Sequence, residues 1–545
     1  MKKPVLHRAM RAYTRTATYA VSATALVLVV SACGSAPGAT QTRTITDDPI
    51  PAFTFALAAA PISLDITKDF GPSMQVQTLF TEPLERLSGE GELRPHLAEA
   101  VSVPDPTTID YVIRSDVRFS DGTLLTPEDV IWSLRHVSDS AAGAQTAGEL
   151  ESLESIEQTG PMRVTVKLSH PDPVARQSIA LFGLIQQARF AEEHAAELGT
   201  AQAVPVGTGP YRVQEYSSSG VQLVRNNDYW SEQPAPETLK FDVIPDGNTA
   251  QLAMRSGDIQ AANVADIKKQ SQWKQIGGID TIEVPLTKLT YLTFDTSTSP
   301  FDDVHVRKAV AHSIDRKGIA EAAFGNDSAI LKGLATPEML TGVAGSPGNA
   351  QSFLDGIGGI EFDSNLAAQE LAASSHPQGF TVEVPYTDNV NWTELTVLNL
   401  QQNLAPLGVT VVPKPITQTQ WISDLYAHKV PGIGFLSITA STPDPKLIGS
   451  VVGKENAVAP KFNASNWSTD SVEQALPVLN GSTSPLDRWT AAQTILTGIH
   501  EQLPYVPLFN PNLVYAIADG FAFDRDMSFY DFVNGSWVTA VKATS

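Results

Sequence analysis

One pair of residues has the spacing of a catalytic nucleophile and base. Ser271 and Lys274 satisfy S-x-x-K, which supplies the nucleophile in penicillin-binding enzymes. The chain lacks the S-D-N and K-T-G segments that complete such a site, and it also lacks G-x-S-x-G and H-E-x-x-H. Carboxylates are plentiful, so composition leaves a glycosidase-type pair open, although no motif marks one. Because a four-residue pattern arises by chance in 545 residues, we expect no catalytic residues.

Histidine and cysteine give no pattern typical of a metal site. The ten histidines form no cluster with ligand spacing, and His305 and His312, seven residues apart, are most simply assigned to one helix. The single cysteine, Cys33, can form neither an intramolecular disulfide nor a thiolate cluster. We therefore expect neither a metal nor a cofactor.

Cys33 has the setting of a lipid acceptor. Five cations and no acidic residue precede an apolar run at 25–30, which leads into V-S-A-C-G at 30–34. This order is typical of a secretory signal, and the run is too short to cross a bilayer of about 30 Å of hydrocarbon. A cysteine directly after small residues resembles a bacterial lipobox, which implies cleavage after residue 32 and acylation of Cys33, for example with palmitate. A plain signal peptide with an incidental cysteine is the alternative.

The charge balance argues against two classes of partner. Loss of residues 1–32 removes five cations, so that 32 Lys and Arg face 59 Asp and Glu and the formal net charge becomes −27. Nucleic acids and anionic lipid surfaces both require clustered cations. We therefore expect no nucleic-acid partner, and we expect membrane attachment through acyl chains rather than through charge.

The remaining chain alternates strand and helix patterns without a fixed repeat. Residues 33–50 are rich in Gly, Ser, Ala, Thr and Pro, which predicts a flexible tether. Strands are predicted at 53–57, 111–113, 164–168 and 409–412, and helices are predicted after Thr126 and Asp303 and over 366–373 and 395–404. The lack of a strict βαβα order favours two α/β lobes over one Rossmann sheet.

Six parts of the chain, in order, carry the motifs of one family. The most diagnostic is F-S-D-G-T-L-L-T-P-E-D-V at 119–130. The others are L-F-T-E-P-L at 79–84, L-R-P-H-L-A-E at 93–99, G-T-G-P-Y at 207–211 with R-N-N-D-Y-W at 225–230, F-D-D-V-H-V-R-K-A-V with I-D-R within 301–316, and E-Q-L-P-Y-V-P-L at 501–508. Together they resemble the family 5 extracellular solute-binding proteins of ABC importers, the peptide- and nickel-binding group.

The resemblance implies an α/β, two-lobed periplasmic-binding-protein-like fold of class II type, with an extra subdomain in the first lobe. The first lobe would comprise 51–295 and 503–545, with the extra subdomain near 92–200, and the second lobe would comprise 296–502. The crossovers between lobes would fall near 291–296 and 504–508. Ligand would be enclosed as the lobes close.

The resemblance also implies a recognition loop, A-S-T-P-D-P at 440–445. In peptide-binding relatives an Asp in this loop holds the free amine of the ligand. That position falls on Ser441 here, whereas Asp444 matches the second acid of the family. Because a serine cannot serve as the buried counter-ion of an ammonium group, recognition of a free N-terminus would need Asp444 or another acid.

Aromatic residues are the candidate walls of the pocket. Trp421 comes first, followed by Tyr386 and Trp392, which lie in segments expected to be loops or helix edges. No Lys or Arg occurs between Gly333 and Pro413, a stretch with eight acidic residues. A carboxylate-ended ligand normally needs a cationic partner, so this stretch favours a neutral or cationic ligand. A solvated acidic face is the alternative.

We therefore expect a lipid-anchored, monomeric substrate-binding component of an ABC importer at the extracytoplasmic face of the cell membrane. It would capture a peptide or peptide-like solute and deliver it, unaltered, to a permease driven by ATPase subunits. Nickel chelates, haem, oligosaccharides and opine-like solutes stay open as ligands. The alternative function is that of an envelope lipoprotein on the same scaffold, serving cell-wall or glycolipid assembly or signalling.

Overall fold

Residues 44–545 are described by the computed structural model, apart from 47, 72, 90, 265–268, 326–329, 388–389 and 431. Thr44–Ser545 forms one unit. Cys33, the signal peptide predicted over 1–32 and the part of the predicted tether that precedes Thr44 lie outside the described residues.

The strands build several separate sheets. In chain order they are β1 (Ile45–Thr46), β2 (Phe53–Leu57), β3 (Glu85–Leu87), β4 (Leu93–Pro95), β5 (Ala98–Asp105), β6 (Thr108–Ile113), β7 (Leu153–Gly160), β8 (Arg163–Leu168), β9 (Tyr211–Ser217), β10 (Gly220–Arg225), β11 (Thr238–Val243), β12 (Ala261–Asn263), β13 (Ile279–Val284), β14 (Lys288–Phe294), β15 (Thr381–Thr387), β16 (Thr410–Ile416), β17 (Ile433–Thr439), β18 (Tyr505–Phe509), β19 (Leu513–Ala518), β20 (Phe521–Phe523) and β21 (Val541–Thr544). The predicted strands at 53–57, 111–113, 164–168 and 409–412 are confirmed within β2, β6, β8 and β16, although the last begins and ends later than predicted.

Helices cover the sheets and fill the second half of the chain. They are α1 (Met74–Gln77), α2 (Pro127–Ser138), α3 (Ala175–Phe182), α4 (Ala188–Glu193), α5 (Gly247–Ser256), α6 (Gln270–Lys274), α7 (Val304–His312), α8 (Arg316–Phe324), α9 (Pro337–Ala344), α10 (Pro347–Ile357), α11 (Ser364–Ala373), α12 (Asn391–Leu404), α13 (Gln418–Tyr426), α14 (Lys446–Ser450), α15 (Asp470–Gly481), α16 (Pro485–Gln502), α17 (Phe529–Val533) and α18 (Trp537–Ala540). Short 3₁₀ turns lie at Ala147–Leu150, Ala405–Leu407 and Lys454–Asn456.

The predicted helix starts are confirmed, and their caps explain them. Thr126 caps α2 in a capping box, in which its hydroxyl accepts from the Asp129 amide and the Asp129 carboxylate accepts from the Thr126 amide. Asp303 caps α7, which contains both His305 and His312. The helices predicted from 366 and 395 begin earlier, at Ser364 and Asn391, because Asp363 caps the former and a full additional turn precedes the latter.

The first half is organised around a seven-stranded sheet in the order β13-β19-β12-β2-β11-β10-β9. Its centre is parallel, since β2 pairs parallel with both β11 and β12. The C-terminal part of the chain contributes β19 to this sheet, and β21 pairs with β1 and β20. Residues after Asn512 therefore belong to the first half of the molecule.

An additional antiparallel sheet, β5-β6-β8-β7, lies within the region predicted as an extra subdomain. Helix α2 packs on it, and buried side chains of α2 and α3 share one apolar core with the inward faces of the strands. When one face of an antiparallel sheet is covered and the other is solvated, buried and exposed positions alternate along its strands.

The second half contains the three-stranded antiparallel sheet β17-β14-β18 and the parallel pair β15-β16, which α12 connects. The chain passes between the two halves twice, at 285–287 from β13 to β14 and at 510–512 from β18 to β19. Asn510 donates from its side-chain amide to the carbonyl of Leu286 at 2.7 Å, which joins the two connections. The predicted boundaries at 295/296 and 502/503 differ from this division, since β14 pairs with both β17 and β18 in the sheet of the second half.

Two buried arginines explain the V-R-x-A and I-D-R motifs as framework. The Arg307 guanidinium donates to the carbonyls of Phe301 and Gln502 at 2.7 Å. Arg316 donates to the carbonyls of Leu331 and Pro507 at 2.7 and 2.9 Å. Burial lowers the pKa of each guanidinium to about 10, so both remain charged at neutral pH and hold backbone carbonyls that would otherwise be unsatisfied.

Glu82, from the first motif, is a fully buried carboxylate whose partners come from distant segments. Five side chains donate to its two oxygens: Arg86 (3.1 Å), His96 (2.6 Å), Thr208 (2.9 Å), Tyr229 (2.7 Å) and Trp230 (3.0 Å). The G-T-G-P and Y-W motifs therefore meet at one acid. The backbone at Gly207 also lies close to the backbone at Phe80, because a Cβ at Gly207 would overlap the carbonyl oxygen of Phe80.

Candidate ligand-binding cavity

A cavity of about 200 Å³, open to solvent, lies in the second half of the molecule beside the connection at 285–287. Its walls come from β14, β17, the end of β15 and the beginnings of α12 and α13. The lining residues are Lys288, Pro385, Tyr386, Thr387, Val390, Trp392, Thr393, Gln418, Trp421, Phe435, Leu436 and Ser437. Aromatic and aliphatic side chains share this lining with hydroxyls, an amide and one ammonium group, and a concave site with both kinds of group can bind a small molecule.

The register of β14 and β17 brings one charged and two uncharged side chains to the same face. Lys288 lies opposite Thr439, and Leu292 lies opposite Phe435. Because side chains alternate along a strand and directly opposed residues share a face, Lys288, Phe435 and Ser437 all project to the cavity side.

The three aromatic residues predicted as pocket walls all line this one cavity. Trp421 lies in α13 and is 9% exposed, and Trp392 lies in the first turn of α12. Tyr386 lies in β15, so the expectation of a loop or helix edge is wrong for this residue, whose extended backbone pairs with β16. Whether the three contact a ligand stays a prediction.

Close packing fixes two of these rings. The Trp392 ring meets Phe435 edge-to-face at 5.7 Å between centroids. Trp421 packs against β17 at Gly434, where a Cβ would lie 2.9 Å from the Trp421 Cη2 atom. A side chain at position 434 would therefore force the indole to move, and the glycine allows the ring to form the wall.

Lys288 was not foreseen as a site residue. Its side chain is half-buried, and burial lowers the pKa of its ammonium group. The acidic stretch 333–413 supplies much of the wall, yet the cation of the cavity comes from a strand outside it. No sequence signal marks Lys288 beyond its place at the start of a β-branched and aromatic run.

The loop at 440–445 lies elsewhere, against the additional subdomain. The Ser441 hydroxyl donates to a carboxylate oxygen of Glu149 at 2.8 Å, and Lys446 lies 3.3 Å from Asp172. Asp444 forms a buried two-pronged ion pair with Arg488, with N–O distances of 2.6 and 2.8 Å. Asp444 lines a separate cavity of about 380 Å³ together with Asp172 and Arg488.

The structure therefore separates the predicted site residues into two groups. Trp421, Tyr386 and Trp392 share the cavity beside Lys288, whereas Ser441 and Asp444 lie at the contact between the 440–446 loop and the subdomain. The Asp444 carboxylate is engaged by Arg488, and the acid nearest to Ser441 is Glu149. Burial raises the pKa of Glu149, although the hydrogen bond from Ser441 opposes this shift.

A further cavity, of about 530 Å³, lies at the ends of β2 and β12 in the first half, beside the connection at 510–512. Gln75 lines it and is 8% exposed. Within the described part of the chain, the Gln75 amide nitrogen has no hydrogen-bond partner. Cavities at the carboxyl ends of parallel strands are common ligand sites.

Other features bear on the remaining expectations. Ser271 and Lys274 lie in the five-residue helix α6, where Lys274 is 3.4 Å from Glu283. Among the described residues, no three His, Cys, Asp or Glu side chains are grouped to hold a metal ion. Within the same described residues, no helix has the length and apolar character needed to cross a membrane.

Comparison with known proteins identifies the family. Residues 92–456, more than half of the chain, match the family model described as bacterial extracellular solute-binding proteins, family 5 Middle. The chain is a family 5 solute-binding protein. Heme-binding protein A of Haemophilus influenzae is 24% identical over 528 residues, covering 89% of this chain and 92% of that protein. Glutathione-binding protein GsiB of Escherichia coli is 24% identical over 458 residues, covering 82% and 86%.

Solved structures of family 5 proteins have the same fold. The ABC transporter substrate-binding protein CtaP of Listeria monocytogenes superposes with a TM-score of 0.78 at 19% identity, covering 91% of this chain and all of that one. DppA of Helicobacter pylori, in complex with the peptide STSA, superposes with a TM-score of 0.73 at 18% identity, covering 92% and 99%. The predicted two-lobed α/β fold is confirmed. Named family 5 relatives are solute-binding proteins, which fits the expectation of a non-enzyme.

Proposed function

We propose that this protein is the substrate-binding component of an ABC importer for a peptide or peptide-like solute. The observation that carries the proposal is the cavity in which Tyr386, Trp392 and Trp421 converge beside the connection between the two halves. Apolar ligand surface that is buried against aromatic walls contributes about 25 cal/mol of binding free energy per Å². The family membership supports reversible capture rather than chemistry, since named relatives bind haem, glutathione or peptide.

We propose further that the two lobes meet at 285–287 and 510–512, and that the ligand is enclosed between them. The cavity beside Lys288 would form the second-lobe wall and the cavity beside Gln75 the first-lobe wall, because each adjoins one connection. A ligand that contacts both walls stabilises the closed arrangement by its differential affinity. The closed protein would then deliver its ligand to a permease driven by ATPase subunits.

The anchor is part of the same proposal. Acylation of Cys33 would hold the protein at the extracytoplasmic face of the cell membrane, with the residues between Cys33 and β1 as a tether. Metabolic labelling with an alkyne-bearing palmitate analogue tests this step. Label is expected on the wild-type protein and not on Cys33→Ser, and a labelled variant or an unlabelled wild-type protein would contradict it.

Mass spectrometry of compounds that co-purify from the native host tests the function itself. We expect a stoichiometric small solute, released unaltered on unfolding. Trp421→Phe and Trp392→Phe should each lower retention several-fold, because a smaller ring leaves ligand surface uncovered. Trp489→Phe is the matched control, since Trp489 packs on Phe353 away from this cavity. Turnover of the retained solute would contradict the proposal, and retention of a glycolipid or cell-wall intermediate would favour the alternative envelope role.

A further inference from the structure

The cavity beside the connection at 285–287 contains a cation without a counter-ion in the part of the chain that the structure describes. Lys288 is its one charged lining residue there, and the other polar lining groups are hydroxyls and an amide. Two other lysines of this protein are paired, Lys414 with Glu383 at 3.0 Å and Lys446 with Asp172 at 3.3 Å. Lys288 differs from them in both position and pairing.

An unpaired, partly desolvated ammonium is costly, since burial of a charge is compensated only by a charge partner and hydrogen bonds. The lowered pKa of Lys288 follows from this burial. A ligand anion would supply the missing partner in a site of reduced dielectric, where a charge-assisted hydrogen bond is stronger than at the surface.

The neighbours of Lys288 define the rest of such a ligand. Ser437 lies on the same strand face and can donate a hydrogen bond to an anion held by the ammonium. Trp392, Trp421 and Phe435 form the apolar wall. The arrangement fits a molecule that carries an anionic end and an apolar or aromatic body.

We propose that Lys288 binds a carboxylate of the ligand, so that this protein selects carboxylate-bearing solutes over their neutral or purely cationic counterparts. This inference rests on the proposed function and deepens it, and it replaces the hypothesis of a neutral or cationic ligand drawn from the acidic stretch 333–413. The carboxylate can be the C-terminus of a peptide or part of a non-peptide acid.

The test exposes ligand-stripped, full-length protein to two pools, a casein digest and a host metabolite extract, each untreated or methyl-esterified. Esterification neutralises carboxylates and leaves amines charged. Compounds retained after gel filtration are identified by mass spectrometry. Untreated compounds should be retained about 10-fold more than their esters. Retention from the digest would identify peptides as the source, and retention from the extract would identify a non-peptide acid; either supports the proposal.

Four variants make the test specific. Lys288→Met should lower retention of acids about 10-fold, and Lys288→Arg should restore it to within about threefold, because the charge returns. Lys414→Met, the same change at an exposed and paired lysine of the second half, should change nothing. Asp388→Asn should leave retention unchanged or improved; a loss equal to that of Lys288→Met would overturn the proposal, because the partner of the lysine would then be within the chain.

Two results separate this inference from the proposed function. Equal retention of esters and acids, or acid retention by Lys288→Met at the wild-type level, would overturn the inference alone. Retention of nothing by the wild-type protein from any pool would overturn both. Circular dichroism and thermal unfolding of each unliganded variant establish that the comparison is made between folded proteins.

Discussion

Glu82 and Lys288 are both charged groups removed wholly or partly from water, but the surrounding structure provides partners for the charge of Glu82 alone. Glu82 is fully buried and accepts hydrogen bonds from five side chains. Lys288 is half-buried, faces a cavity and has no charge partner among the described residues. A saturated charge, whose hydrogen bonds are all made within the protein, holds the framework in one arrangement. An unsaturated charge, which has no partner within the described protein, can still gain interaction energy from a ligand.

The largest expected effect is at the saturated site. Glu82→Ala leaves several buried donors, including those of His96, Thr208 and Trp230, without an acceptor, and we expect a loss of about 3–5 kcal/mol in the free energy of unfolding. Urea denaturation measures it. Glu193→Ala is the control, because Glu193 forms an exposed pair with Arg189 and should cost less than about 0.5 kcal/mol. Similar losses in the two variants would refute the framework role of Glu82.

The pH dependence of stability provides a second measure of the same site. Burial alone would raise the pKa of Glu82, but the interaction with His96, the charge of Arg86 and the hydrogen bond from Trp230 lower it from 4.5 to about 2. A depressed carboxyl pKa stabilises the fold above pH 4.5, and this stability is lost as the pH falls towards 2. We expect about 3 kcal/mol to be lost in that window.

Unfolding of the wild-type protein and of Glu82→Gln, followed from pH 7 to pH 2, resolves this contribution. The difference in free energy between the two proteins should be constant above pH 5 and should shrink below it. A difference independent of pH would show that the carboxylate contributes through shape alone.

The unsaturated site should respond with the opposite sign. Lys288→Met removes a partly desolvated charge and keeps an apolar stem, so we expect the unliganded protein to gain about 1 kcal/mol or less. Thermal unfolding of ligand-stripped protein measures the gain. A destabilised variant would show that Lys288 already has a partner, and the contrast with Glu82 would fail.

The contact between Ser441 and Glu149 should give the smallest effect. The folded-state pKa of Glu149 is raised chiefly by burial, so ionisation opposes folding as the pH rises above the ordinary value of 4.5. Glu149→Gln keeps an acceptor for Ser441 and removes the charge, and we expect a gain of about 0.5 kcal/mol at pH 7. The gain should vanish at pH 4 in denaturation experiments, and a gain of equal size at both pH values would contradict this cause.

The sequence predicted the framework better than the site, for a physical reason. Caps such as Thr126 and Asp303 act within one turn of helix, so local chemistry predicts them. The framework motifs also predicted the two-lobed fold, which depends on residues such as Glu82, Arg307 and Arg316 that hold distant backbone together. These groups interact only in one arrangement of the chain, which is why their types recur in family motifs.

The site depends on register and on long-range contact, which composition does not encode. The aromatic residues were predicted as walls, but their meeting with Lys288 follows from the pairing of β14 with β17. The count of cations between 333 and 413 did not include Lys288, because the pocket is lined by strands from several parts of the chain and Lys288 lies on one outside that stretch. The partner of Ser441, Glu149, lies 292 residues away.

The hydrogen bond from Asn510 to Leu286 has a mechanical consequence. The two halves are joined by two short segments, and this bond ties one segment to the other. Because of this bond, we expect the two segments to move together when one half reorients against the other. Lys288 lies two residues beyond Leu286, so an anion bound by Lys288 would lie next to these paired segments.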